Sequence, residues 1–174
     1  MRTIKYLIVI LIAVLAQGAC GKIEQLSPVP HIKFTSFTVF DSITPLGNKD
    51  KAGKLKFYFE DGDGDIGLEA PMGNLTDSIN MYLTLFRKKV GIMDTITDKK
   101  DPLLPYSFYR IPFMERLGQN KILKGTITVS FLYLSYSPGD TIKYDFYIKD
   151  RTLNESNMAS TGEIIISVNN TYTK

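Results

Sequence analysis

The chain has 174 residues, 44% of them hydrophobic and 22% charged, which suffices for one sandwich-sized domain with a real core and leaves too little for a second. Its formal charge of +3 falls to +1 once Arg2 and Lys5 are set aside with the N-terminal segment, since 19 basic residues then face 18 acidic ones. That balance excludes a nucleic-acid footprint, and the densest basic stretch, Lys49, Lys51, Lys54 and Lys56, is broken by Asp50 and bounded by Glu60 in the manner of solvated strand ends.

Residues 1–19 read as an export signal: Arg2 and Lys5 precede an apolar run from Tyr6 to Ala16, followed by Gly18 and Ala19. The run is too short to span a bilayer comfortably and a cleavage-like small pair follows it, so processing is expected rather than a permanent transmembrane helix. Cys20, the single cysteine, comes next and has no intramolecular disulfide partner. Its position resembles the lipobox of bacterial lipoproteins, although Gln17 stands where that motif usually has Leu. The resemblance implies a lipidated Cys20 at the mature N-terminus, with several acyl chains holding the protein firmly in a membrane. The alternative is ordinary secretion with one exposed thiol. Residues 20–30, with Pro28 and Pro30 and no clear period, read as a tether, and residues 31–174 as the folded domain.

From His31 onward the sequence shows short apolar alternations between turn signals and no convincing amphipathic helix, so the fold class is all-β. The alternation predicts strands at 32–40, 54–60 and 79–87, the second with Leu55, Phe57 and Phe59 inward and the third with Ile79, Met81, Leu83 and Leu85 inward. An edge strand near 107–113 is expected among Pro102, Pro105 and Pro112, because prolines are tolerated mainly at edges. A fifth strand is predicted at 122–132, a sixth at 141–149 with Ile142, Tyr144, Phe146 and Ile148 inward, and a seventh at 162–168. Seven strands are the number expected of an immunoglobulin or fibronectin-III-like sandwich. The segment Asp140 to Phe146 resembles the tyrosine corner of that fold, which implies a Tyr144 hydroxyl bonded back to the preceding turn; otherwise Tyr144 is one more core aromatic.

Between the second and third strands lies EDGDGDIGLE, residues 60–69, with Asp61, Asp63 and Asp65 at alternate positions. In the seven-strand topology this loop shares one end of the sandwich with the loop after the sixth strand, which offers Asp150 and Asn154. Calcium takes six to eight hard oxygen ligands, and alternating aspartates on a glycine-loosened loop turn several carboxylates toward one centre. Asp61, Asp63, Asp65, Asp150 and Asn154 are therefore the candidate ligands for Ca2+. The segment is no EF-hand, because Ile66 and Met72 stand where that loop needs Gly and Glu. The competing reading is a solvated turn in which Gly62 and Gly64 supply positive φ and the aspartates cap backbone amides.

Taken together, the lipobox-like cysteine, the proline-bearing tether, the strand running into DGDGDIG and the late YDFYIKDRTLNESN segment resemble uncharacterised immunoglobulin-like lipoproteins of the Bacteroidetes type. The resemblance implies a cell-envelope location with a lipid anchor, the outer membrane foremost, and no particular reaction. Asp41-Ser42-Ile43, Asp77-Ser78-Ile79, Asp94-Thr95-Ile96 and Asp140-Thr141-Ile142 resemble O-glycosylation acceptor sites of such bacteria, which marks Ser42, Ser78, Thr95 and Thr141. Asp-Ser/Thr-Ile is equally good strand-entry chemistry.

No enzyme is expected. The sole histidine, His31, sits at the end of the tether with no nucleophile motif around it, and Walker, HExxH and His/Cys zinc patterns are missing. A carboxylate-based glycoside hydrolase is the remote alternative, since three aspartates on one loop lack opposed placement. The leading expectation is a non-catalytic binding or assembly module, joined to the membrane by its N-terminal lipid and facing an envelope protein or glycan. A passive spacer is the runner-up. Outward-facing Tyr82, Phe86 and Tyr147 discriminate between them, since an exposed aromatic patch favours binding.

Overall fold

The computed structural model describes residues 26–44, 47–70, 78–96, 103, 108–115, 121–133 and 135–174. Residues 1–19, where an export signal is expected, Cys20 and Asp77 of the second expected acceptor triplet lie outside the described residues, as does Ser107 of the expected edge strand. Among those described, no helix is long and apolar enough to cross a membrane.

The chain folds as an all-β sandwich of two antiparallel sheets. One sheet contains β1 (His31–Ile43), β2 (Lys49–Asp61), β6 (Leu123–Tyr133) and β10 (Asn170–Thr173), in the order β10-β1-β2-β6. The other is built on β3 (Met81–Lys89) and β7 (Thr141–Ile148); β4 (Ile92–Thr95) and β5 (Phe108–Tyr109) pair with β3, while β8 (Ala159–Ser160) and β9 (Ile164–Ile165) pair with β7. The orders β1-β2-β6 and β4-β3-β7-β8 are those of an immunoglobulin-like sandwich.

Period-two alternation decides which residues meet between the sheets. On β2 the core row is Leu55, Phe57 and Phe59, and on β7 it is Ile142, Tyr144, Phe146 and Ile148, all essentially inaccessible. β1 breaks the strict alternation: Ile32 and Phe34 point inward, then Phe37 and Val39, an odd step between two even ones. A β-bulge between Phe34 and Ser36 absorbs the extra residue and keeps all four in the core. Each large side chain fully buried this way contributes about 1.5–3 kcal/mol. Gly53 belongs to the same design, since a Cβ there would lie 2.5 Å from the Phe37 ring.

Several strands differ from the sequence pattern. The first hairpin runs on to Ile43 and Lys49, three residues past the predicted end of the first strand and five before the predicted start of the second. β3 begins at Met81 rather than Ile79; Asn80 is the buried residue there, held by Ile111, whose amide donates to its Oδ1 at 2.6 Å. Beyond β5, the backbone of the expected edge strand turns to Leu68 instead, which donates to the Ile111 carbonyl and accepts from Phe113 N. The seventh strand shrinks to β9, and the chain then crosses to the first sheet as β10.

The tyrosine corner is also corrected. Tyr144 is fully buried, and its hydroxyl meets the Tyr133 hydroxyl at 3.0 Å rather than backbone in the preceding turn. The turn is closed by Asp140, which accepts from Ser137 N at 2.6 Å and from Arg87 Nε at 2.9 Å. Phe37, Phe131 and Tyr144 stack with centroids 5.0 to 5.9 Å apart and fill the space beside the paired hydroxyls.

Candidate metal centre and aromatic face

The core row of β2 does not stop at Phe59. Its next inward position is Asp61, which is wholly buried, and the row on β7 likewise runs past Ile148 into Asp150, which is 1% exposed. Both sheets therefore deliver a carboxylate to the same end of the sandwich, each from the position where alternation would otherwise place an apolar side chain.

Asp61 Oδ2 accepts from the amides of Asp65 at 2.8 Å and Ile66 at 3.3 Å, which wraps the turn around the carboxyl. Gly64 allows the wrap with φ of +65°. Gly62, in contrast, has no positive φ; it is glycine because a Cβ would fall 2.3 Å from the Leu26 carbonyl oxygen. Candidate ligand oxygens of Asp61, Asp63 and Asp65 all lie within 4.8 Å of one another. Two further oxygens, Asp61 Oδ1 and Asp65 Oδ1, are buried and receive no hydrogen bond. Such a group is costly unless a positive charge or a proton meets it.

The electrostatics follow. Burial pushes the Asp61 carboxyl up from 3.8 to about 6, opposed by the Asp65 amide and reinforced by the charge of Asp63. Asp65 is raised by burial and then by the charges of Asp150 and Asp63, with Arg151 pulling the other way. This cluster of three aspartates can hold a metal ion.

The second loop is where the topology placed it. Arg151 N donates to the Asp65 carbonyl at 3.3 Å, and its guanidinium donates to the Gly67 carbonyl at 3.2 Å while lying over the Phe113 ring. Asp150 and Asn154 nonetheless face each other. Asp150 Oδ1 accepts from Asn154 N at 2.8 Å and Thr152 Oγ1 at 3.0 Å, and Oδ2 accepts from Asn154 Nδ2 at 2.8 Å. Asp150 thus stands beside the cluster as a charge, with its oxygens supplied by its own loop, and Asn154 is turned to Asp150. Comparison of the chain with protein-family models, curated proteins and solved structures finds no match.

The outer face of the second sheet carries the other candidate. Tyr82 and Tyr147, directly opposite on β3 and β7, stack at 4.9 Å, and Phe108 meets Tyr82 edge-on at 5.9 Å. Lys149 Nζ lies 5.3 Å above Tyr82 and 2.8 Å from Glu155 Oε1, and that carboxylate raises the lysine pKa. Phe86 lies further along the same face under Lys143. At the Tyr82 end opens a groove of about 500 Å3, lined among others by Leu68, Glu69, Ile79, Lys149 and Arg151. Alternation identifies Tyr82, Phe86 and Tyr147 as outward; Phe108 has no such signal, because β5 is only two residues long.

The acceptor triplets are spread over the surface. Thr95 is exposed on edge strand β4, whereas Ser42, Ser78 and Thr141 are half-buried. Asp94 and Asp140 serve their own turns: Asp94 accepts from Thr95 N, and Asp140 closes the turn described above.

Proposed function

We propose that this chain is a non-catalytic binding module of the cell envelope, held to a membrane by lipid on Cys20 and related in kind to exported immunoglobulin-like lipoproteins of the Bacteroidetes type. The observation that carries this reading is the aromatic face on β3 and β7. Outward strand positions facing water are normally polar, and three contacting rings there keep apolar surface available, worth about 25 cal/mol per Å2 when a partner covers it. Stacked tyrosines with a lysine above them suit an envelope protein or the faces of glycan rings. A spacer has no need of them.

The ion on the acidic turn is calcium. Hard carboxylate oxygens gathered on a loop suit it better than magnesium, and sites of exported proteins operate near millimolar calcium. Aspartates gathered around one buried centre leave no room for a sugar ring between acid and base, which weighs against the glycoside hydrolase.

The test is site-specific photocrosslinking in the native membrane. A crosslinker at Tyr147 is expected to give discrete adducts, while one at Thr126, on the outer face of the opposite sheet, gives none. Equal labelling at the two positions returns the domain to a spacer, and an unmodified Cys20 thiol in the mature protein refutes the anchor.

A further inference from the structure

Residues 26–30 read from sequence as tether, yet the two ends of the segment pack on the domain, with Ser27, Pro28 and Val29 exposed between them. Leu26 is half-buried, Pro30 is buried, and Gly62 N donates to the Ser27 carbonyl at 2.9 Å. The contact is close enough to exclude any side chain at Gly62, whose added Cβ would meet the Leu26 and Ser27 carbonyl oxygens at 2.3 and 2.5 Å. Gly62 is also the residue between Asp61 and Asp63, so the two carboxylates that would share an ion flank an amide that holds the segment. Only five residues lie between Cys20 and Leu26, so the two are at most about 20 Å apart along extended chain.

The acidic cluster has independent support as a cation site. Asp61 is fully buried, and its Oδ1 is a buried oxygen that receives no hydrogen bond, within a group whose ligand oxygens lie within 4.8 Å of one another. Without an ion, close ionised carboxylates in a poorly solvated turn repel one another, and opening the turn relieves them. Opening it rotates the Gly62 peptide and moves the surface against which Leu26 and Ser27 rest. With an ion, Asp61 and Asp63 are drawn to one centre and the Gly62 amide is aimed at Ser27.

We infer that a calcium ion on Asp61, Asp63 and Asp65 is the latch that docks segment Leu26–Pro30 on the sandwich, so that the reach between the domain and its N-terminal attachment is set by calcium. The inference rests on the calcium reading above and goes beyond it: binding stabilises a turn, whereas a latch also governs the segment. Linkage gives it a quantitative form. If calcium tightens docking by some factor, docking must tighten calcium binding by the same factor, which is therefore the most that undocking the segment can take away.

The test uses the full chain in detergent micelles, with calcium chloride or EDTA, and reads calcium affinity by titration calorimetry alongside hydrogen exchange over residues 26–33. Calcium is expected to slow exchange in this segment on the order of tenfold. Asp63→Asn should abolish both effects. Gly62→Ala leaves every carboxylate in place but clashes with the segment, so exchange should be fast with or without calcium. Leu26→Ala, which changes no residue of the turn, should reduce the protection and lower calcium affinity by up to that factor. Absence of calcium binding defeats the calcium reading and the latch together. Calcium binding with segment exchange unchanged from EDTA defeats the latch alone, as does a Leu26→Ala chain with undiminished protection.

Discussion

With its side chain wholly buried at the end of the β2 core row, Asp61 holds a carboxyl that burial raises to about 6 from 3.8. The sign of the resulting pH dependence is fixed by linkage. A carboxyl whose folded pKa lies above its unfolded value stabilises the fold fully below the unfolded pKa and loses that contribution as pH rises through the folded one. In EDTA, therefore, the wild-type melting temperature should fall relative to Asp61→Asn between about pH 4 and pH 7. Saturating calcium should reverse the order at neutral pH, because the carboxylate brings the ion a full negative charge that the amide lacks. A difference between the two proteins in EDTA that does not change with pH refutes the assignment. Tyr133 and Tyr144 pose a simpler case. Burial raises both phenols above their ordinary 10, so they remain neutral donors, and each hydroxyl has the other as its hydrogen-bond partner. Tyr144→Phe strands the Tyr133 hydroxyl and should cost about 1–3 kcal/mol, whereas adding Tyr133→Phe should recover part of the loss. Denaturant melts of the two single variants and the double variant check this, and strict additivity contradicts the pairing.

The strands best read from sequence are those whose alternation is unbroken. β7 was legible to within a residue, and so was β6. The same alternation also carried the burial of Asp61 and Asp150, since each follows its row by two positions, but polar residues in an acidic loop read as solvated. That is why the site was visible as a composition and not as a geometry. β4 was not legible for a different reason. Its hairpin turns at Val90 and Gly91, with φ of +50° and +83°, and a β-branched residue is among the least suited to that conformation. Nothing in Lys-Val-Gly-Ile advertises such a turn. Val90 is fully exposed, so nothing in the core needs its side chain. Val90→Asn supplies a residue that tolerates positive φ and should stabilise the domain by about 0.5–1 kcal/mol, a rise of a few degrees in melting temperature. An unchanged or lower melting point would show that the turn is not strained. β10 escaped sequence reasoning because its four residues pair with β1 in the other sheet, and a local pattern specifies a strand without naming its neighbour.

At the scale of the whole molecule, the two loops at one end, the docked segment and the aromatic face share backbone. The segment rests on Gly62, Asp65 receives the Arg151 amide, and the groove beside Tyr82 is walled by Leu68 and Arg151 from those same loops. An ion on the cluster therefore acts on a whole end of the sandwich rather than on a single turn. An ion that binds the folded chain and not the unfolded one stabilises the fold by about 2.7 kcal/mol at a hundredfold excess over its dissociation constant. For a domain of this size that corresponds to roughly 5–10 °C in melting temperature. About 10 mM calcium should produce such a shift relative to EDTA if the site has the weak affinity common in exported proteins. Magnesium should do much less, because it demands a tight octahedral shell and gives up its waters reluctantly. Asp63→Asn should remove most of the response by neutralising one ligand charge. Asp150→Asn tests the arrangement more finely. Asp150 keeps its oxygens on its own loop and touches the cluster only through its charge on Asp65, so its loss should lower calcium affinity modestly and leave the response in place. Complete loss of the calcium shift in Asp150→Asn, with the fold intact by circular dichroism, would instead make Asp150 a direct ligand. Identical melting curves in calcium and EDTA for the wild-type chain would leave the acidic segment a turn closed by its own amides.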